Sequence, residues 1–83
     1  MLKIDTKQPK TARNILEFLA LRTEPMGIYS IDRSVSSAPG RDRFFAPDIA
    51  LKDLEGEGLV EEARSSEGRL VYQITDKGRE APN

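Results

Sequence analysis

Apolar residues recur along this chain with two different periods, and the change from one to the other divides it. Ala12, Ile15, Leu16, Leu19 and Ala20 fall three and four apart, with Phe18 beside them, which is the spacing of an amphipathic helix. That spacing predicts a first helix over roughly 11–22, with the Thr11 hydroxyl as its cap. Glu24-Pro25-Met26-Gly27 ends it, since proline and glycine both break helical continuity. Ile28, Ile31 and Val35 share one face of a second, shorter helix. Ser30 is a candidate cap for it, and Ile28-Tyr29 entering as an extended stub is the alternative. Residues 36–43 form a loop by composition. A third helix is expected over 46–57. Pro47 suits its first turn, Asp48 complements the positive end of its dipole, and Ala50, Leu51 and Leu54 form its buried stripe. Gly58 stands where helices commonly end.

Beyond Gly58 the period drops to two. Leu59 to Arg64 reads as one strand and Ser65-Ser66-Glu67-Gly68 as a turn. Arg69 to Thr75 reads as a second strand, in which Leu70, Tyr72 and Ile74 alternate with Val71 and Gln73. Thr75 is placed to cap a last helical turn over 76–80. Three helices followed by a hairpin predict a mainly α fold with a β-hairpin: a winged helix-turn-helix of three helices plus a two-stranded wing. In that arrangement the third helix packs across the first two, and the hairpin covers the open side of the core. The domain is expected over 11–80, behind a flexible basic arm, 1–10.

Composition narrows the chemistry. Eighty-three residues make one core, and 37% hydrophobic with 33% charged residues is ordinary for a globular chain. No apolar run approaches a membrane span, and residues 1–10 lack the apolar stretch of a signal peptide. A cytoplasmic setting without membrane contact is therefore expected. The chain has no cysteine and no histidine. It can hold no disulfide or thiolate metal site, and it lacks the commonest general base and metal ligand. The carboxylates Asp53, Glu55, Glu57, Glu61 and Glu62 show no recurring ligand spacing and read as a solvated acidic face. No catalytic residue, metal site or cofactor is expected.

Leu51-x-x-Leu54-Glu55-x-x-Gly58-Leu59-Val60, a charged turn, and Tyr72-x-Ile74-Thr75-x-x-Gly78 together resemble the winged-helix transcription regulators of the PadR and MarR type. Gly27-Ile28-Tyr29 followed by Ile31 is similar to the start of the second helix in PadR-like proteins. The resemblance covers about residues 11–80 and implies a regulator that binds double-stranded DNA. In such regulators a long helix follows the wing and builds a dimer. A homodimer of this chain would be expected to use another surface, or not to form.

Charge sets a second reading beside that one. Residues 1–22 carry five basic and two acidic side chains, whereas residues 47–63 carry one basic and six acidic. Phosphate neutralisation by Lys and Arg supplies much of the affinity for DNA, so the helix that should read bases is the most acidic part of the chain. With Pro47, Ala50, Leu51 and Leu54 inward, Phe45, Asp48, Ile49, Lys52 and Asp53 point outward. Under the DNA reading, Asp48, Ile49 and Lys52 meet the groove, while Arg41, Arg43, Arg64 and Arg69 meet phosphates, with Lys7, Lys10 and Arg13 alongside. The bland counterparts are solvated loop charges, cross-strand pairs with Glu62 and Glu67, and a Lys52–Asp48 pair at i, i+4. Under the alternative, Phe45, Ile49 and Asp53 form a protein interface. The DNA reading leads here, on the resemblance.

Overall fold

The computed structural model describes residues 5–38, 40 and 42–80. Helix α1 spans Pro9–Ala20, the short strand β1 Met26–Gly27, helix α2 Ile28–Ser36 and helix α3 Pro47–Gly56. Strands β2 (Val60–Arg64) and β3 (Leu70–Ile74) and a short helix α4 (Asp76–Glu80) follow. Among the described residues the fold is thus mixed α/β, with four helices and a three-stranded antiparallel sheet in the order β1-β3-β2. The expected two-stranded hairpin is present: Val60 pairs with Ile74, Glu62 with Tyr72 and Arg64 with Leu70. It is extended by a strand that the sequence pattern does not display. Met26 pairs with Tyr72 and Gly27 with Val71 along the other edge of β3, and a two-residue strand is too short to show alternation.

The helix-to-strand switch has a specific geometry. Gly58 adopts φ +75°, a left-handed conformation that glycine enters without a Cβ penalty. Its N–H donates to Glu55 O at 3.0 Å, and Leu59 N–H reaches back to Leu54 O at 3.0 Å. Together these form a Schellman closure of α3. The chain then returns to this turn. Thr75 donates its hydroxyl to Gly58 O and accepts from Gly78 N–H, which caps α4 as expected. Lys77 Nζ donates to Glu57 O, and an Arg79 guanidinium N–H donates to Ala20 O at the end of α1.

The core unites one face of every larger element. Ala12, Ile15, Leu16 and Leu19 of α1 meet Ile31 and Val35 of α2 and Ala50, Leu51 and Leu54 of α3. Leu59, Val60, Tyr72 and Ile74 close it from the sheet. Fully burying such a side chain contributes about 1.5–3 kcal/mol, so the periodic positions carry the fold. Ile28, expected in the α2 stripe, is instead 38% exposed; it is the first residue of the helix, and the buried stripe begins at Ile31.

The start of the domain also differs from the expected boundary. Helix α1 begins at Pro9 rather than Thr11, with proline in the first turn, where its missing N–H costs nothing. Gln8 is fully buried, so the segment expected as a free arm is part of the fold from Gln8 onward. Thr11 does not cap α1. It is buried and hydrogen-bonds the Asp42 carboxylate. Among the described residues no helix is long and apolar enough to cross a membrane.

Candidate functional site

Two long-range contacts fix the entrance to α3. The Gln8 side-chain amide donates through Nε2 to Ala46 O at 2.9 Å and accepts Ala46 N–H on Oε1 at 2.7 Å. Ala46 is the N-cap of α3 and offers no side-chain cap of its own, so Gln8 satisfies the N–H that would otherwise be orphaned there. Asp42 does the reciprocal service for α1. Its carboxylate accepts Thr11 N–H at 2.8 Å and the Thr11 hydroxyl at 2.9 Å, an anion at the positive end of the helix. The loop into α3 is therefore anchored at both ends of residues 42–46.

Anchoring decides which side chains face outward. Pro47, Ala50, Leu51 and Leu54 are buried, and Asp48, Ile49 and Lys52 are exposed, as the helical wheel requires. Asp53 is half-buried. Of the adjacent aromatics, Phe44 is 48% exposed, while Phe45 packs against the core. That exchanges the two relative to the expected interface: Phe44, not Phe45, is the aromatic presented to solvent. Arg43 is exposed, and Arg41 lies outside the described residues.

The charged pairs differ from those expected. Lys52 Nζ stands 3.9 Å from Glu62 Oε1, so its partner lies on β2 rather than at Asp48. Arg64 donates to Gly68 O at 3.1 Å, closing the hairpin turn on itself. Opposite it in the ladder is Leu70, and Glu62 faces Tyr72, so the ladder sets neither of them against an opposite charge. Arg69, Lys7, Lys10 and Arg13 are exposed. Two guanidinium groups lie over rings, Arg33 over Tyr29 at 5.8 Å and Arg22 over Phe18 at 4.5 Å.

Beneath Lys52 two carboxyl groups meet. Burial raises the Glu55 pKa above its ordinary value of 4.5, helped by the charge of Glu62 and by a hydrogen bond between the two side chains, while Lys52 opposes the rise. Glu55 Oε1 is buried without a hydrogen-bond partner. Burial likewise raises the Tyr72 pKa, with Glu62 and Glu55 adding to it. Among the described residues no three carboxylates stand close enough to hold a metal ion.

Two open grooves flank the N-terminal half of α3. One, of about 500 Å³, lies between Asp5–Gln8 and Phe44, with Ile49 and Asp53 as its α3 wall. The other, of about 290 Å³, is bounded by Ile28, Tyr29 and Asp32 of α2 and by Pro47 and Asp48. Ile28, Tyr29, Phe44 and Ile49 are four of the five large hydrophobic residues exposed among the described residues, the fifth being Leu21. Sequence reasoning found Ile49, Asp48 and Asp53, took Phe45 over Phe44 for the interface, and missed Tyr29 and Asp32. The available signal was the pair Ile28-Tyr29 in the opening turn of a helix, where one of two adjacent bulky residues must point outward.

Comparison with protein-family models, curated proteins and solved structures gives no match.

Proposed function

We propose that this chain is a winged-helix binding module without catalytic activity, and that the outward face of α3 binds a protein rather than duplex DNA. The succession of three helices and a hairpin supports the winged-helix assignment, with β1 as an added strand. The observation that carries the functional reading is the character of the α3 face. Its Ile49 is exposed and, with Phe44 from the preceding loop and Ile28 and Tyr29 from α2, borders two grooves; its outward carboxylate Asp48 is unopposed on the helix, and its single cation, Lys52, is turned to Glu62. Exposed apolar surface gathered around one element marks an interaction site. Phosphates would meet carboxylates there, at the expense of the electrostatic term on which DNA affinity depends.

A regulator that binds duplex DNA is the second reading. It is favoured by Arg43 and Arg69, which are exposed and engaged in no ion pair among the described residues. Titration of a fluorescent duplex at low salt separates the two. No saturable binding is expected under the protein reading. Saturable binding that weakens steeply with added salt would overturn it.

A further inference from the structure

We propose that the partner is a basic segment of another protein, laid in extended form across α3, with one apolar side chain seated in each groove. This rests on the protein-binding reading above and adds the chemistry of the partner. The grooves lie on opposite flanks of the same helix, one walled by Pro47 and Asp48 and the other by Ile49 and Asp53. Each offers an apolar floor, with Tyr29 and Ile28 on one side and Phe44 and Ile49 on the other. Each also carries two carboxylates, Asp32 and Asp48 in the first and Asp5 and Asp53 in the second. Among the described residues Lys7 is the one cation lining either groove, and Arg33 stands over the Tyr29 ring.

Four carboxylates against one lining ammonium select a cationic ligand and repel an anionic one. The apolar floors demand more than charge, because a hydrophilic polycation would leave them wet. The separation sets the spacing of the anchors. Flanks of one helix lie about 10 Å apart, and a chain extended in the polyproline-II form advances about 3.1 Å per residue and returns to the same face every third residue. Anchors three residues apart, with Lys or Arg between and around them, therefore span α3. A lone acidic cluster would bind any cation weakly; the paired apolar seats make the site selective for a segment of this pattern.

The test is selection of binders from a random twelve-residue peptide library displayed on phage, using the intact folded chain as bait. Enriched sequences are expected to carry an excess of Lys and Arg and a recurrent pair of large apolar residues three apart. Ile49→Asp and Tyr29→Ala should each weaken a synthetic enriched peptide by about tenfold, roughly the loss of one buried anchor, with circular dichroism unchanged. Asp48→Lys combined with Asp53→Lys should weaken it at least as much. Neutral or acidic enriched peptides that Ile49→Asp still releases would overturn the basic chemistry and leave the protein-binding reading standing. Saturable binding of a control duplex, competing with the peptides, would overturn both. A library that yields no binder overturns the proposal. So does a dimer, seen by sedimentation and dissociated by Ile49→Asp, since a second copy would then occupy the face.

Discussion

Gln8 and Ala46, 38 residues apart, exchange a reciprocal pair of hydrogen bonds at 2.9 and 2.7 Å. A side-chain amide here imitates a neighbouring backbone, joining the start of α1 to the start of α3. Ala46 O also accepts Ile49 and Ala50 N–H, so truncation of Gln8 orphans chiefly the Ala46 N–H. Gln8→Ala is expected to destabilise the fold by about 1–3 kcal/mol. Urea unfolding should show a lower midpoint at unchanged slope. An unshifted midpoint would mean that the pair adds nothing to stability.

Asp42 holds the same loop from its other end through Thr11. Asp42→Ala removes a carboxylate that accepts at a helix N-terminus, at a cost of about 0.5–2 kcal/mol. Because the loop carries Phe44, the substitution should also loosen the groove between Phe44 and Ile49. Hydrogen exchange at residues 43–46 should accelerate more than in the core of α1. Uniform acceleration across the domain would argue against a local anchor.

Gly78 tests the return of the chain onto α3. A Cβ at this position would overlap the Leu59 carbonyl oxygen and come within 2.7 Å of Ile74 Cγ1. Backbone cannot yield as a flexible side chain does, so Gly78→Ala is expected to cost about 1–3 kcal/mol. This occurs although alanine has the better helix propensity by about 1 kcal/mol. Thermal unfolding checks the sign: a raised midpoint would show that α4 is free to move off Leu59.

Much of this architecture is legible in the chain, for identifiable reasons. Gly58 and Gly78 mark the helix-to-strand turn and the close approach of α4 to it, and both lie in the motifs that suggest the winged-helix resemblance. The stripe Ala50, Leu51, Leu54 and the alternation at Leu70, Tyr72 and Ile74 report burial directly, because period follows from backbone geometry. Relationships that depend on distance along the chain are hidden. No local pattern announces that Gln8 meets Ala46, or that Lys52 turns to Glu62 instead of Asp48. Phe44 and Phe45 are adjacent in a loop, where no period assigns one to the core. Strand β1 is defined by its pairing with the second edge of β3, and two residues carry no pattern of their own.

The carboxyl pair beneath Lys52 gives the fold a pH dependence of defined sign. Burial, the Glu62 charge and the shared hydrogen bond raise the Glu55 pKa above 4.5, so the folded chain holds this proton more tightly than the unfolded chain. Glu55 therefore opposes folding at neutral pH, and that penalty is relieved as pH falls through its raised pKa towards 4.5. Glu55→Gln should unfold at higher urea than the parent at pH 7, with the difference shrinking as pH approaches 4.5. Parallel profiles would contradict a raised pKa.

On the proposed function, the acidic, apolar face of α3 excludes duplex DNA. That exclusion is met most directly by fluorescence anisotropy of a labelled duplex at about 50 mM salt, where even non-specific DNA binding is strong. The parent chain is to be compared with Asp48→Lys combined with Asp53→Lys. A flat titration is expected for the parent and a saturable, salt-sensitive rise for the charge-reversed chain. Saturable binding by the parent, weakened by Arg43→Ala with Arg69→Ala, would contradict that exclusion and return the face of α3 to DNA.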